Sequence, residues 1–419
     1  MSQTRLFTRR KFLLGLAATA GGAILARLYH LLRVPVTQAQ EPGLTPRAYL
    51  PVVFGSGKLR KPRVVHVRDA DATYWNGTGL FYNAVNESVV TDMVRIGLQF
   101  LTGQDTWPNI WRALCERVQP GGYIPGQKVA LKVNLNASQD CSNHGNVIDA
   151  LPQPVLGLIS GMTAAGVQPA DITIYDSIRV IPSYLRNFVW NRYPEVKFLG
   201  TGSCPGVIPP SHGVDSSLTV SFNDPYGYLN NRQLVDVLYH ASYLINMPII
   251  KRHGGDGANP VTLSFKNHFG SLNRISGSGT DDLHRYINTS DSLYRNTYSP
   301  FVDIYRNHNI RDKTVLVLGD GLYGGTSPSS PPIQSWAIFG GGCNSLFLGT
   351  DPVATDCVMA DLIVAEGLVS RAHTYDYLYC AEEAGLGVCE GTRSNPGGYP
   401  LQVPYGSGYA DIEYARVDV

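Results

Sequence analysis

Residues 128–175 constrain the fold more than any other stretch of this chain. The segment 128–135, KVALKVNL, alternates Val129, Leu131, Val133 and Leu135 against Lys128, Ala130, Lys132 and Asn134, which is the period of two that marks a strand. A polar loop over 136–149 follows, containing Asp140, Cys141 and Asp149. Residues 154–165 then carry a helical pattern stopped by Gly166, and DITIY at 171–175 is a second strand ending at Asp176-Ser177. Two strands joined through a helix pair in parallel, because the crossover returns the chain to the same end of the sheet. The expected class is therefore α/β, a mostly parallel sheet flanked by helices, with loop-rich insertions.

The remaining elements fit that frame. Strands are expected at 63–67, 196–199, 243–247, 314–318 and 345–348, and an edge hairpin around 218–222. Helices are expected at 88–101, 109–118, 181–193 and 353–366, with Asp351 as the N-cap of the last. A length of 419 residues allows two domains or one large one. With no internal repeat and no linker inside 63–419, a single α/β domain is expected. Its polar stretch at 273–311 reads as an insertion, a lid or packing arm. The last thirty residues show no periodicity.

The N-terminus stands apart. Thr8-Arg9-Arg10-Lys11-Phe12-Leu13-Leu14 precedes an apolar run to Ala26, and small residues follow near Ala39. This order resembles a twin-arginine export signal, with Leu14 where the pattern has Lys. The resemblance implies passage through the twin-arginine translocase, residence outside the cytoplasmic membrane, and an anchor if the signal stays uncut. Residues 40–62, rich in Pro, read as a linker. Loss of 1–39 would remove six basic residues and no acids, turning a net charge of +1 into −5. A mildly acidic body gives no electrostatic footprint for nucleic acid.

All seven cysteines lie beyond the signal, and none form a C-x-x-C pair. An iron–sulfur cluster is accordingly not expected. An oxidising destination permits disulfides, and Cys380 with Cys389, the nearest pair in sequence, is the candidate bridge.

The chemistry concentrates in LINMPIIKRHGGDGANPVTLSFKNHFGSL, residues 244–272. A strand runs into Lys251, Arg252 and His253, then a glycine-rich loop, then Lys266, Asn267 and His268. Other polar groups stand at expected strand ends: Lys132 and Asn134, Asp176, Asp320 and Asp351. In a parallel sheet these ends share one edge, where open α/β folds bind ligands.

Several motifs resemble the family called domain of unknown function 362. They are Pro248-x-x-Lys251-x-His253, Thr262-x-x-x-Lys266-Asn267-x-x-Gly270, the Lys132-x-Asn134 strand, GDGLYGG at 319–325 and GTDPVATD at 349–356. The resemblance spans residues 63–363. Where the family has Gly-x-Gly-Pro, this chain has Gly325-Thr326-Ser327-Pro328. The family implies no known reaction.

Three site chemistries are open. The first is a divalent metal held by His253 with Asp320, Asp351 or Asp356. In the second, Lys132, Lys251, Lys266 and Arg252, with Asn134, Asp176 and Asn267 beside them, bind a small anion. In the third, His253 or His268 acts as a general base beside a lysine such as Lys266. A purely structural ion-pair network, for example Lys266 with Asp320, is the plain alternative. The expectation is thus an exported enzyme or cofactor-bearing protein, or else an exported binding protein without turnover.

Overall fold

The computed structural model describes residues 61–142, 145–253, 260–274, 283–284, 297–391 and 408–419. The expected export signal, nearly all of the expected linker, the centre of the glycine-rich stretch and most of 273–296 lie outside the described residues. Leu59–Val419 forms one compact unit.

Its centre is an eleven-stranded mixed sheet, mostly parallel, as the βαβ pattern requires. In chain order the elements are β1 (Arg63–Arg68), α1 (Glu87–Thr102), α2 (Trp107–Cys115), β2 (Lys128–Val133), α3 (Pro152–Ala164), β3 (Ile172–Val180), α4 (Ser183–Trp190), β4 (Lys197–Thr201) and β5 (Val207–Ile208). A small separate hairpin follows, β6 (Thr219–Val220) with β7 (Arg232–Gln233), then α5 (Val237–His240), β8 (Ala241–Met247), β9 (Ile249–Arg252), β10 (Val261–Thr262) and α6 (Ser264–Asn267). The chain finishes with α7 (Pro300–Arg306), α8 (His308–Arg311), β11 (Thr314–Gly325), β12 (Ser345–Gly349), α9 (Pro352–Ala365), α10 (Asp376–Glu383) and β13 (Glu413–Asp418). The order across the sheet is β13-β1-β12-β11-β8-β2-β3-β4-β5, with β9 beside β11 and β10 beside β9.

Strand alternation divides the core into two layers. Val65, Val129, Leu131, Ile174, Ile245 and Leu318 face helices α1 to α4. Val64, Ala130, Tyr175, Leu244 and Phe347 face α7, α9 and α10. Lys132 and Asn134 continue the second face beyond Ala130, so their side chains enter the interior at the carboxyl end of β2.

Four expectations need correction. β3 continues past Tyr175 to Val180 through a bulge between Asp176 and Val180. β11 continues through Asp320 because β12 and β9 give its far half partners. The 273–311 stretch is not polar throughout: α7 and α8 bury Phe301, Ile304, Tyr305 and Ile310. The aperiodic C-terminus supplies an edge strand, β13, parallel to β1. Its sequence EYARVD is weakly apolar, because an edge strand is held by its ladder and by side-chain clamps rather than by two buried faces.

One clamp is Glu390, almost fully buried, whose carboxylate accepts the backbone N–H groups of Ala410, Asp411 and Ile412. Tyr414 adds a hydrogen bond to His66 Nδ1 at 2.7 Å. Glu390→Ala would orphan three donors, and a loss of about 2–4 kcal/mol is expected by urea denaturation. An unchanged midpoint would mean that β13 is not held this way.

The disulfide also differs from expectation. Cys141 pairs with Cys204, with Cα atoms 5.4 Å apart although 63 residues separate them in sequence. Bridging depends on Cα separation in space, which sequence proximity of Cys380 and Cys389 does not supply.

Candidate functional site

β2 and β8 run side by side until Val133 meets Met247. There they part. The chain after β2 enters the 134–151 loop, whereas β8 passes Pro248 and continues as β9 along β11. The Pro248 carbonyl accepts the Asp320 N–H at 2.8 Å, which keeps that continuation on β11. From β2 the strands β3, β4 and β5 build outward one way; from β8 the strands β11, β12 and β1 build outward the other way. The crevice between β2 and β8 is thus where the sheet's order reverses, the place where ligands enter open α/β sheets. β9 and β10 pair antiparallel, with Thr262 opposite Lys251.

A hydrogen-bonded chain lines the crevice floor. Lys132, fully buried, uses all three of its N–H donors: to Val133 O at 2.6 Å, Asp176 Oδ2 at 3.0 Å and Asn267 Oδ1 at 3.1 Å. An ammonium only donates, so Asn267 must present its oxygen to Lys132. The Asn267 amide then donates to Asn246 Oδ1 at 2.8 Å. Asn246 in turn donates to Ser264 O at 2.9 Å and to His268 Nε2 at 3.1 Å. His268 therefore carries its proton on Nδ1, facing Ser271 Oγ at 3.0 Å, and Ser271 meets the Tyr175 hydroxyl at 2.9 Å. Burial, then the Lys132 charge, hold His268 well below its usual pKa. Neutral, with both nitrogens engaged, it positions the frame rather than facing a ligand.

Close backbone approach completes this floor. A Cβ on Gly270 would stand 2.5 Å from Lys132 Nζ and 2.6 Å from Asp176 Oδ2, so only glycine fits over the ion pair. Ser177, in the β3 bulge, has its hydroxyl between Gly270 O at 2.9 Å and Leu272 O at 2.8 Å, which share its single proton. The bulge also carries Arg179, whose charge adds to burial, the larger cause, in lowering the pKa of Lys132, Lys251 and Lys266.

Above the floor stand two lysines without hydrogen-bond acceptors among the described residues. Lys251 is fully buried and Lys266, 7% exposed, has only the Phe269 ring 5.5 Å from its Nζ. Thr262 Oγ1 and Asn134 Oδ1 are likewise buried and unbonded. Burial pushes Lys251 down to about 8, with Arg179 and Lys132 lowering it further and Asp149 and Asp176 opposing. Lys266 is pushed well below its usual value by burial, then by Lys251 and Arg179. His253 falls to about 2 through burial, then Lys266, His284 and Lys251, and is neutral. The structural ion pair of Lys266 with Asp320 does not form; the buried pair is Lys132 with Asp176.

The four metal candidates do not converge. β12 runs antiparallel to β11, so its carboxyl end, Gly349, lies opposite Val317 near the start of β11. Asp351 is therefore at the other edge of the sheet, capping α9 through Val353 N and Ala354 N, both at 2.9 Å. Asp356 reaches from α9 to the start of α6, accepting Ser264 N at 2.9 Å, Phe265 N at 3.3 Å and the Tyr377 hydroxyl at 3.0 Å. It anchors the turn that carries Lys266 and Asn267. Asp320 accepts Leu322 N at 3.0 Å, and burial raises it to about 6. Among the described residues no three of His, Cys, Asp and Glu gather in a group able to hold a metal ion.

Sequence reasoning missed Asn246, Arg179 and the linking hydroxyls of Ser177, Ser271 and Tyr175. Asn246 did leave a signal: it is the one amide in the buried run YLINM. Arg179 left none, because it belongs to the site only through the β3 bulge.

No curated protein and no solved structure matches the chain. A family model, Domain of unknown function (DUF362), matches residues 129–361, more than half of the chain. That span holds Val129–Val133 of β2, the crevice, Lys251, Lys266 and Asp356. The chain belongs to the DUF362 family.

Proposed function

We propose that the crevice between β2 and β8 is a small-anion site and that the protein is an enzyme acting on the bound anion. One observation carries this reading: Lys251 and Lys266 are both buried, and among the described residues neither amine has a hydrogen-bond acceptor. A buried cation without a hydrogen-bonded partner costs several kcal/mol, and a buried polar group left unbonded calls for an explanation, of which a bound ion and a catalytic role are two. Lys251, titrating at about 8, is an ammonium at neutral pH and holds the anion. Lys266, with burial and the neighbouring Lys251 and Arg179 charges against its proton, is the amine that accepts one from substrate. His253, neutral and beside both lysines, shares the protonic path. Lys132, Asp176, Asn267 and Asn246 keep the geometry fixed.

Thermal shift and native mass spectrometry against a panel of carboxylates and phosphates, with metal analysis of the same sample, test this reading. At least one anion is expected to stabilise the protein, with Lys266→Met losing turnover and binding the anion more weakly through Lys251 alone. Absence of any shift across the panel would sink the anion site. Binding in which no anion is ever consumed would favour a transport or storage protein on the same crevice.

We further propose export through the twin-arginine route. The Thr8–Leu14 motif supports it, as does the Cys141–Cys204 bridge, a bond that persists in oxidising compartments. Replacing Arg9 and Arg10 by Lys should keep the chain in the cytoplasmic fraction; unchanged export would refute the route. In the exported protein, Cys141→Ser should cost up to about 4 kcal/mol in the chain-entropy account of a loop this long, read from unfolding midpoints.

A further inference from the structure

The orientation of Asn134 narrows the ligand, given the anion site proposed above. Asn134 Nδ2 and Lys132 Nζ both approach Asn267 Oδ1, at 3.0 Å and 3.1 Å. Because the lysine can only donate, that shared atom is an acceptor, and Asn134 must turn its NH2 toward it. The amide of Asn134 is therefore not free to flip. Its Oδ1 is left as an acceptor, buried and unbonded, on a residue 7% exposed. It stands at the carboxyl end of β2, on one bank of the crevice, and β9 with Lys251 forms the other bank. The unsatisfied atoms are then two amines and a hydroxyl, suited to an oxyanion, and one fixed acceptor, which an oxyanion cannot satisfy.

We infer that the ligand is an oxyanion carrying a hydrogen-bond donor, a hydroxyl or amine, beside the charged group, and that Asn134 is the residue that reads the donor. The Lys251 and Lys266 side takes the carboxylate or phosphoryl oxygens, with Thr262 Oγ1 as a further donor. The donor on the ligand reaches Asn134 Oδ1. A buried acceptor left without a partner disfavours a ligand that lacks the donor, by a factor on the order of ten.

Matched anions separate this inference from the reading it rests on. Calorimetric titration of the full chain would use acetate against glycolate, and ethyl phosphate against 2-hydroxyethyl phosphate. The hydroxylated member of one pair is expected to bind about tenfold more tightly, and the pair that shows it distinguishes a carboxylate from a phosphate ligand. In Asn134→Ala the preference within that pair should fall below about twofold. Equal affinities within both pairs overturn the role of Asn134 and leave the anion site standing. No binding by any of the four overturns both. The wild-type comparison decides the matter even if the variant does not fold.

Discussion

Lys251→Met is expected to make the ligand-free protein more stable and unable to bind its anion. The folded state holds the Lys251 amine at about 8, whereas an unfolded lysine titrates near 10.5. Below pH 8 the amine is protonated in both states, so the full penalty of burying the charge is present. Between about 8 and 10.5 the unfolded chain binds more protons than the folded one, and stability rises with pH until the penalty is gone. Two and a half pKa units correspond to about 3 kcal/mol, an upper estimate of what methionine recovers at pH 7. The apo midpoint in urea should rise by that order. Anion affinity should move the opposite way with pH: level below about 8 and declining above it as the clamp loses its charge. A variant that is destabilised would show that Lys251 has a stabilising partner in the folded protein, and with it the case for an anion site would fall.

Asp176→Ala carries the opposite sign and the largest loss. Lys132 would keep its place, with no exposure, and lose its only carboxylate. Breaking a buried pair by removing one partner costs about 3–5 kcal/mol. Burial already drives the Lys132 pKa down, and Asp176 is what opposes it. The double variant Lys132→Met with Asp176→Leu should regain most of the loss in stability, because no charge is left stranded. It should not regain function: without Lys132 the crevice floor loses the ammonium from which Asn267 Oδ1 and the Val133 carbonyl accept. Gly270→Ala is expected to resemble Asp176→Ala, since its methyl would occupy the space of the ion pair. If the double variant is no more stable than Asp176→Ala, the loss lies in packing rather than in charge.

The legible part of this site was what periodicity and strand ends can express. Lys132 and Asn134 fall on one face of an alternating strand, and the run from Pro248 to His253 follows a buried one, so their convergence could be expected. What stayed hidden depends on properties a one-dimensional pattern does not carry. Strand direction is one: β12 reads as a strand either way, but running antiparallel it carries Asp351 to the far edge. Partnership is another: Asp356 and Lys266 are both ionisable, yet one is saturated by backbone N–H groups and the other has none. The Cys141–Cys204 bridge and the Glu390 clamp join segments whose nearness only the folded sheet creates.

The position of β1 has a consequence for how this chain is made. It is the first strand to leave the ribosome, yet both its neighbours, β12 and β13, come last. At about 5–20 residues per second, the interval before even β12 exists is roughly 15–60 s. Throughout it, Val64, Val65 and Val67 belong to a strand with two open edges. The sheet can assemble from β2 through β8 meanwhile, but its outer third waits until residues 413–418 are made. Folding is thereby tied to translation of β13: a product cut short anywhere before residue 413 leaves one side of β1 unpaired, the kind of open edge through which β-sheets aggregate.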